Sequence, residues 1–201
     1  MEISAAVVKE LREKTGVGMM ECKSALIESG GNVSEAEKIL RKRGLSTAAK
    51  KAGRVTGEGA VASYIHTGGK IGVLVEVNCE TDFAARNEDF QSLVHEIAMH
   101  VAAAAPRFVR REDVTQDVLA VEREIARDQV LKSGKPPAVA EKIVEGRLEK
   151  FYAENCLLDQ AFVKDPDKTV GQLIAERVAR IGENIQVSRF ARFVLGDSST
   201  S

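Results

Sequence analysis

The chain has 201 residues, 44% hydrophobic and 29% charged, with a formal net charge of −1. Such a balance describes a water-soluble globular protein, one ordinary domain plus a small second one, and excludes a global pull toward nucleic acid or membrane. The charge is unevenly spread, since residues 1–54 hold 11 Lys+Arg against 7 acids, net +4, leaving 18 against 23, net −5, for residues 55–201.

Three short helices are predicted before residue 55. In the first, Ile3, Val7, Val8 and Leu11 recur at helical spacing, and Thr15-Gly-Val-Gly18 breaks it with two glycines. The second carries Met19, Met20, Cys22, Ala25, Leu26 and Ile27 and ends at Gly30-Gly31. The third is expected to open at Ser34, with Glu37 completing a capping box, and to bury Ala36, Ile39 and Leu40 before Gly44. A bundle this small has a marginal core, which suits a docking module. Residues 45–59 read as a basic linker that starts helical and loosens at Gly53, Gly57 and Gly59.

A second domain follows. Residues 60–66 and 71–78 alternate as strands about the Gly-bearing turn Thr67–Lys70, a hairpin. From Asn87 to Ala105 a helix is expected, with Phe90, Leu93, Val94, Ile97, Ala98 and Val101 as a continuous stripe and Pro106 as its stop. Segments 115–133 and 137–157, parted by Gly134-Lys-Pro-Pro137, are charge-rich with narrow apolar stripes such as Val118, Val121 and Ile125. They predict an exposed antiparallel helical hairpin. Thr169 is expected to cap a last helix closed by Gly182, and Ile185, Val187, Arg189, Ala191 and Phe193 alternate as a third strand. The expected fold class is α+β: a three-helix bundle with its basic linker (1–54), a core with a three-stranded antiparallel sheet packed on helices (55–196), and a disordered tail (197–201). A sheet of three strands needs helices to cover it.

Chemistry is mostly missing. Gly57-Glu-Gly59-Ala-Val-Ala62 fits the dinucleotide fingerprint in letters only, because a linker precedes it and a strand follows. His95 and His100 stand five apart, about 140° around a helix, so they cannot share a metal as i, i+4 histidines do, and each reads as a polar helix position. No phosphate loop or nucleophile elbow exists. The expectation is a protein without covalent catalysis, resident metal or cofactor. Cys22, Cys79 and Cys156 lie far apart and read as reduced thiols. The N-terminus lacks the apolar core of a signal peptide, and no apolar run approaches ~18 residues, so a cytoplasmic protein with no membrane partner is expected. The basic run Arg41-Lys-Arg43 with Lys50, Lys51 and Arg54 could hold phosphates, which makes an RNA- or ribosome-associated module using residues 41–54 the alternative function. No aromatics are interleaved for stacking, so a solvated helix end or an acidic protein partner stands ahead of direct nucleic-acid contact.

The stretch VEVNCETDFAARN, Val75–Asn87, is the odd feature. Phe83 has two readings: the first core residue of the following helix, or a projecting interface anchor. The second draws on its small neighbours and on the chain's scarcity of aromatics, 7 Phe and 2 Tyr. Asp82 reads as a turn or capping acid, or as part of the same projection.

Long motifs then bear on the choice. Thr15-Gly-Val-Gly-Met-Met-Glu-Cys-Lys-Ser-Ala-Leu26 resembles the N-terminal signature of the bacterial elongation factor Ts family. Val73-Leu-Val-Glu-Val-Asn-Cys-Glu-Thr-Asp-Phe-Ala-Ala-Arg-Asn87 resembles its core signature, and Gly182-Glu-Asn-Ile185 with Arg189-Phe-Ala-Arg-Phe193 its C-terminal end. The resemblance implies a guanine nucleotide exchange factor for elongation factor Tu, with a ubiquitin-associated-like N-terminal module docking on the GTPase domain. It implies that Thr81, Asp82, Phe83, Ala84 and Ala85 form the tip tied to dislocating Mg²⁺, with Phe83 as wedge, and assigns Leu11, Arg12, Thr15, Gly16, Val17, Gly18, Met19 and Met20 to docking. Two departures stand out. Ala84 replaces a common Val, which slims the tip. One strand–helix core unit replaces the duplicated core of longer members, which implies a homodimer or a two-to-two complex.

Overall fold

The computed structural model describes residues 3–131 and 137–197. The expected turn at 134–136 and the tail beyond Asp197 lie outside the described residues. The fold is α+β, as expected. A three-stranded antiparallel sheet has the order β1 (Glu58–Ile65), β2 (Ile71–Cys79), β5 (Ile185–Val194), and a two-stranded ribbon pairs β3 (Ala161–Phe162) with β4 (Asp165–Thr169). The helices are α1 (Ala5–Thr15), α2 (Met19–Glu28), α3 (Val33–Lys51), α4 (Asp82–Ala85), α5 (Glu88–Ala104), α6 (Gln116–Leu131), α7 (Pro137–Asn155) and α8 (Val170–Ile181). The chain folds as two compact units, one comprising the residues up to Val61 with Glu76–Val94 and Gln172–Val187, the other Ala62–Val75, His95–Gly171 and the residues from Ser188 on.

In the first unit, Val8, Leu11, Cys22, Ala25, Leu26, Ala36 and Leu40 form the bundle core. Ser4 caps α1 by accepting the Val7 amide. The capping box expected at Ser34 is not what starts α3. Asn32 caps it, its Oδ1 accepting the Glu35 amide at 3.1 Å, because the turn from Gly30-Gly31 brings the chain into the helix two residues sooner. Nor does α3 end at Gly44. The helix runs on to Lys51, and Gly44 is buried with Ala179 of α8 so close that an added Cβ would stand 3.5 Å from it. The glycine that resembled a stop signal in the sequence is the place where two helices come near each other. Arg41 adds an ion pair to Glu176 at 3.7 Å.

In the second unit, α6 and α7 pair as the expected hairpin around Ala126, Val130, Val144 and Leu148, leaving Val121 and Ile125 exposed. A further cluster of Val114, Leu119, Phe151 and Cys156 is pinned by Arg111. Its guanidinium reaches Asp159 at 2.7 Å and Glu149 at 3.0 Å and lies over the Tyr152 ring. His100, expected only as a polar helix position, belongs to the core. It is fully buried, with Nε2 3.0 Å from Gln160 Oε1 and Nδ1 accepting the Val163 amide at 3.3 Å. Its neighbours in sequence gave no sign of this, since the partners lie some sixty residues away, Gln160 on the turn after α7 and Val163 between β3 and β4.

Candidate functional site

Strand β2 delivers the site. Val73, Val75, Val77 and Cys79 are buried on alternate positions, so period-two patterning fixes the strand's inward face up to its last residue. The Cys79 thiol donates to the Thr81 carbonyl at 3.2 Å. Burial pushes that thiol's pKa up, and the neighbouring Glu183 carboxylate adds to the shift. The backbone is still extended at Thr81 (φ −131°, ψ 156°) and then enters α4.

Thr81 is the N-cap of α4, its Oγ1 accepting the Ala84 amide at 3.2 Å. Asp82 sits in the first turn, where a carboxylate suits the positive end of a helix, and pairs with Arg86 at 2.9 Å. Ala84 and Ala85 are turned inward, 3% and 8% exposed, and Gln91 Nε2 donates to the Ala85 carbonyl at 2.6 Å. Small side chains let the turn settle against the protein. Phe83, the one large side chain of the turn, is left 81% exposed. The ring therefore projects from the turn and is not a core residue of the following helix.

The turn is gripped from α8. Gly182 has φ +88°, a conformation that favours glycine, and it reverses the chain so that the next two side chains point to separate partners. Glu183 accepts from Thr81 twice, from the amide at 3.0 Å and from the hydroxyl at 2.7 Å. The Asn184 amide donates to Glu80 Oε1 at 2.6 Å, while its buried side chain donates to the carbonyls of Ala52 (3.3 Å) and Arg54 (2.9 Å). The Asn184 amide, above all, together with the Arg54 guanidinium holds the Glu80 carboxyl below its usual pKa. Neither Glu183 nor Asn184 was singled out as a site residue from sequence. The signals were the glycine ahead of Glu-Asn at a helix end and the resemblance of Gly182-Glu-Asn-Ile185 to the family's C-terminal end, neither of which gave these residues a role.

The same unit carries the loop between α1 and α2. Leu11 is fully buried in the bundle core, so it holds the module together from inside. Arg12 is exposed, and its carbonyl accepts the Gly16 amide at 2.7 Å. Thr15 Oγ1 donates to the Leu11 carbonyl at 2.7 Å and accepts the Val17 amide at 3.4 Å. Gly16 lies under the Arg180 side chain, where a Cβ would come within 2.6 Å of Nε, and Arg180 is itself held to Asp89 at 2.8 Å. Past exposed Gly18, Met19 and Met20 are exposed, Met20 by 77%, and Ile27, exposed as well, stands two turns further along α2. Soft, flexible methionines in such a patch suit contact with another protein.

The basic segment is largely engaged within the chain. Arg41 pairs with Glu176, Arg43 with Glu28 at 2.6 Å, Arg54 with Glu80 at 3.4 Å, and Lys51 donates to the Gly182 carbonyl. Their arrangement fastens α3 and its exit to neighbouring elements and leaves less charge for a polyphosphate. Among the described residues no group of three or more His, Cys, Asp or Glu is placed to hold a metal ion. No described helix is long and apolar enough to cross a membrane.

Comparison with known proteins points to one family. The family model described as Elongation factor TS matches residues 1–197. An Elongation factor Ts of Anaeromyxobacter dehalogenans is 65% identical over 196 residues, covering 98% of this chain and 90% of that protein. One from Geobacter metallireducens is 61% identical over 197 residues (98% and 91%), and one from Solibacter usitatus 57% identical over 200 residues (100% and 94%).

Proposed function

The chain belongs to the elongation factor Ts family, and on that premise we propose that it binds elongation factor Tu in its GDP form and speeds the exchange of GDP for GTP. The observation that carries the reading is Phe83. A large ring 81% exposed, on a capped turn with its alanines buried, is set out as an anchor for another protein. In this reading the Met19–Met20 patch and its loop, Arg12 to Gly18, dock on the GTPase domain, and Phe83 enters that domain as a wedge. Asp82 and Arg86 border the ring with a charged pair, and Thr81, Ala84 and Ala85 seat it.

The chemistry is linkage. In such GTPases Mg²⁺ bridges the nucleotide phosphates and offsets their charge, so displacing the metal's surroundings weakens GDP binding. Reciprocity then requires that GDP weaken the binding of the factor by the same ratio, which makes the ternary complex a passing state. No bond is made or broken in the factor. The decisive experiment follows fluorescent GDP leaving elongation factor Tu with and without this chain. Phe83→Ala should lower the acceleration by about 30-fold or more while moving the melting temperature by less than about 2 °C. Full activity in that variant, or a large drop in melting temperature, would return Phe83 to a structural role.

The homodimer also belongs to this reading. In the second unit Ile65, Leu74, Phe193 and Leu195 are exposed and line a groove of about 390 Å³ with the strand backbone. A large apolar patch marks an interaction surface. A two-fold interface uses the same patch on both copies, so one patch offered by a single core unit suits a second copy of this chain as its occupant.

A further inference from the structure

Helix α4 has four residues, one turn, and a single turn does not persist in water by itself because nucleation costs more than its few hydrogen bonds return. Something outside the turn must hold it. Burial of Ala84 and Ala85 supplies little, since an alanine removes little apolar area. The strongest polar attachment comes from a residue 102 positions away in the chain.

The hydrogen-bond directions at Thr81 specify what that residue does. Oγ1 accepts the Ala84 amide, so its lone pair faces the turn and its proton points elsewhere. Glu183 Oε1 takes that proton at 2.7 Å, and Oε2 takes the Thr81 amide proton at 3.0 Å. A single carboxylate thus fixes both the backbone of the cap residue and the rotamer with which it caps. Charge-assisted bonds of this kind are shorter and stronger than neutral ones. Glu183 is in turn directed by the reversal at Gly182 and by Asn184, whose amide and side chain are tied to Glu80, Ala52 and Arg54.

We propose that Glu183 is a positioning residue for nucleotide exchange: its carboxylate, clamped on Thr81, keeps the tip turn preformed so that Phe83 meets the partner already ordered. The inference rests on the exchange reading above. Ordering the turn before encounter removes an entropic cost from the bound state, and the gain falls on the step Phe83 performs rather than on docking through Met19 and Met20.

The test compares the full chain with Glu183→Ala and Glu183→Gln. Fluorescent GDP release from elongation factor Tu is recorded over a range of factor concentrations, and amide hydrogen exchange is recorded on the free factor. Glu183→Ala should lower the rate at saturating factor about tenfold, the ratio a charge-assisted hydrogen bond represents, and change the half-saturating concentration by less than about twofold. The Ala84 amide should exchange about tenfold faster or more, with α8 amides unchanged. Glu183→Gln keeps one acceptor for Thr81 and should recover part of both losses. A Glu183→Ala variant with the original saturating rate overturns the positioning role, as does a loss shared by the α8 amides and not recovered by Gln. If the unaltered chain does not release GDP, the exchange reading fails and takes the positioning role with it. Slow Ala84 exchange in that chain then still upholds the clamp as a structural fact.

Discussion

Phe83 is the one large side chain of the tip turn, but the residues around it decide that the ring stays in solvent. Thr81 stops the strand and starts the turn, and Ala84 and Ala85 occupy the inward positions that a larger residue would contest. His100 is the opposite case, a polar side chain with no solvent at all. Its pKa lies below the usual 6.5 because burial disfavours the charged ring, with the Gln160 hydrogen bond opposing this. The Val163 amide donates to Nδ1, so a proton there would replace an acceptor with a donor. A histidine with a lowered folded pKa binds fewer protons folded than unfolded, so its stabilisation is present above the unfolded pKa and lost as pH falls below it. Chemical denaturation should therefore show stability declining below about pH 6.5, at up to about 1.4 kcal/mol per pH unit. Glu80 adds a separate loss nearer its ordinary 4.5, since its pKa is also lowered. His100→Gln should flatten the upper part of that decline and leave the lower part. An unchanged slope between pH 6.5 and 5 would show that His100 does not titrate on unfolding.

Among the elements, β1 and β2 depend on a close approach that the sequence disguised. Gly59 read as linker, yet it lies within β1 at φ +147°, and a Cβ there would stand 2.2 Å from the Val77 carbonyl oxygen. Neither the backbone angle nor the space admits a side chain. Gly59→Ala should cost about 2 kcal/mol or more, seen as a melting temperature lower by about 4–8 °C. A shift under 1 °C would mean the strand can move aside. The elements that were legible have strong periods: Phe90 to Val101 at helical spacing in α5, and Val73 to Val77 alternating in β2. Those that were not legible depend on distant partners. Whether Gly44 ends a helix or lets another approach is settled by Ala179, far away in the chain. Asp165–Thr169 has no alternation to mark it as a strand, and only its pairing with Ala161–Phe162 makes it one. The candidate site divides in the same way. Phe83 was noticeable as a rare aromatic among small residues, whereas the hold of Glu183 on Thr81 spans 102 residues and leaves no local pattern.

For the whole molecule, the proposed homodimer gives a direct measurement. Sedimentation at micromolar concentration should report two copies, and Phe193→Glu with Leu74→Glu should give one by placing charge in the apolar groove. A single copy for the unaltered chain would remove the dimer and leave the groove to another occupant. The uninterrupted α3 has a further consequence. Its 19 residues make a rod of about 28 Å, joined to α8 at Gly44 and, through Ala52 and Arg54, to the residues that grip the tip. The Met19–Met20 patch therefore does not hang on a tether. If the Met19–Met20 patch and the Phe83 tip both contact the partner, as the proposed function has it, two contact points on one frame act bivalently, the first to engage raising the effective concentration of the second only when the partner's spacing matches. The frame is in that sense a ruler, and a partner of the wrong gauge would gain nothing from touching either end.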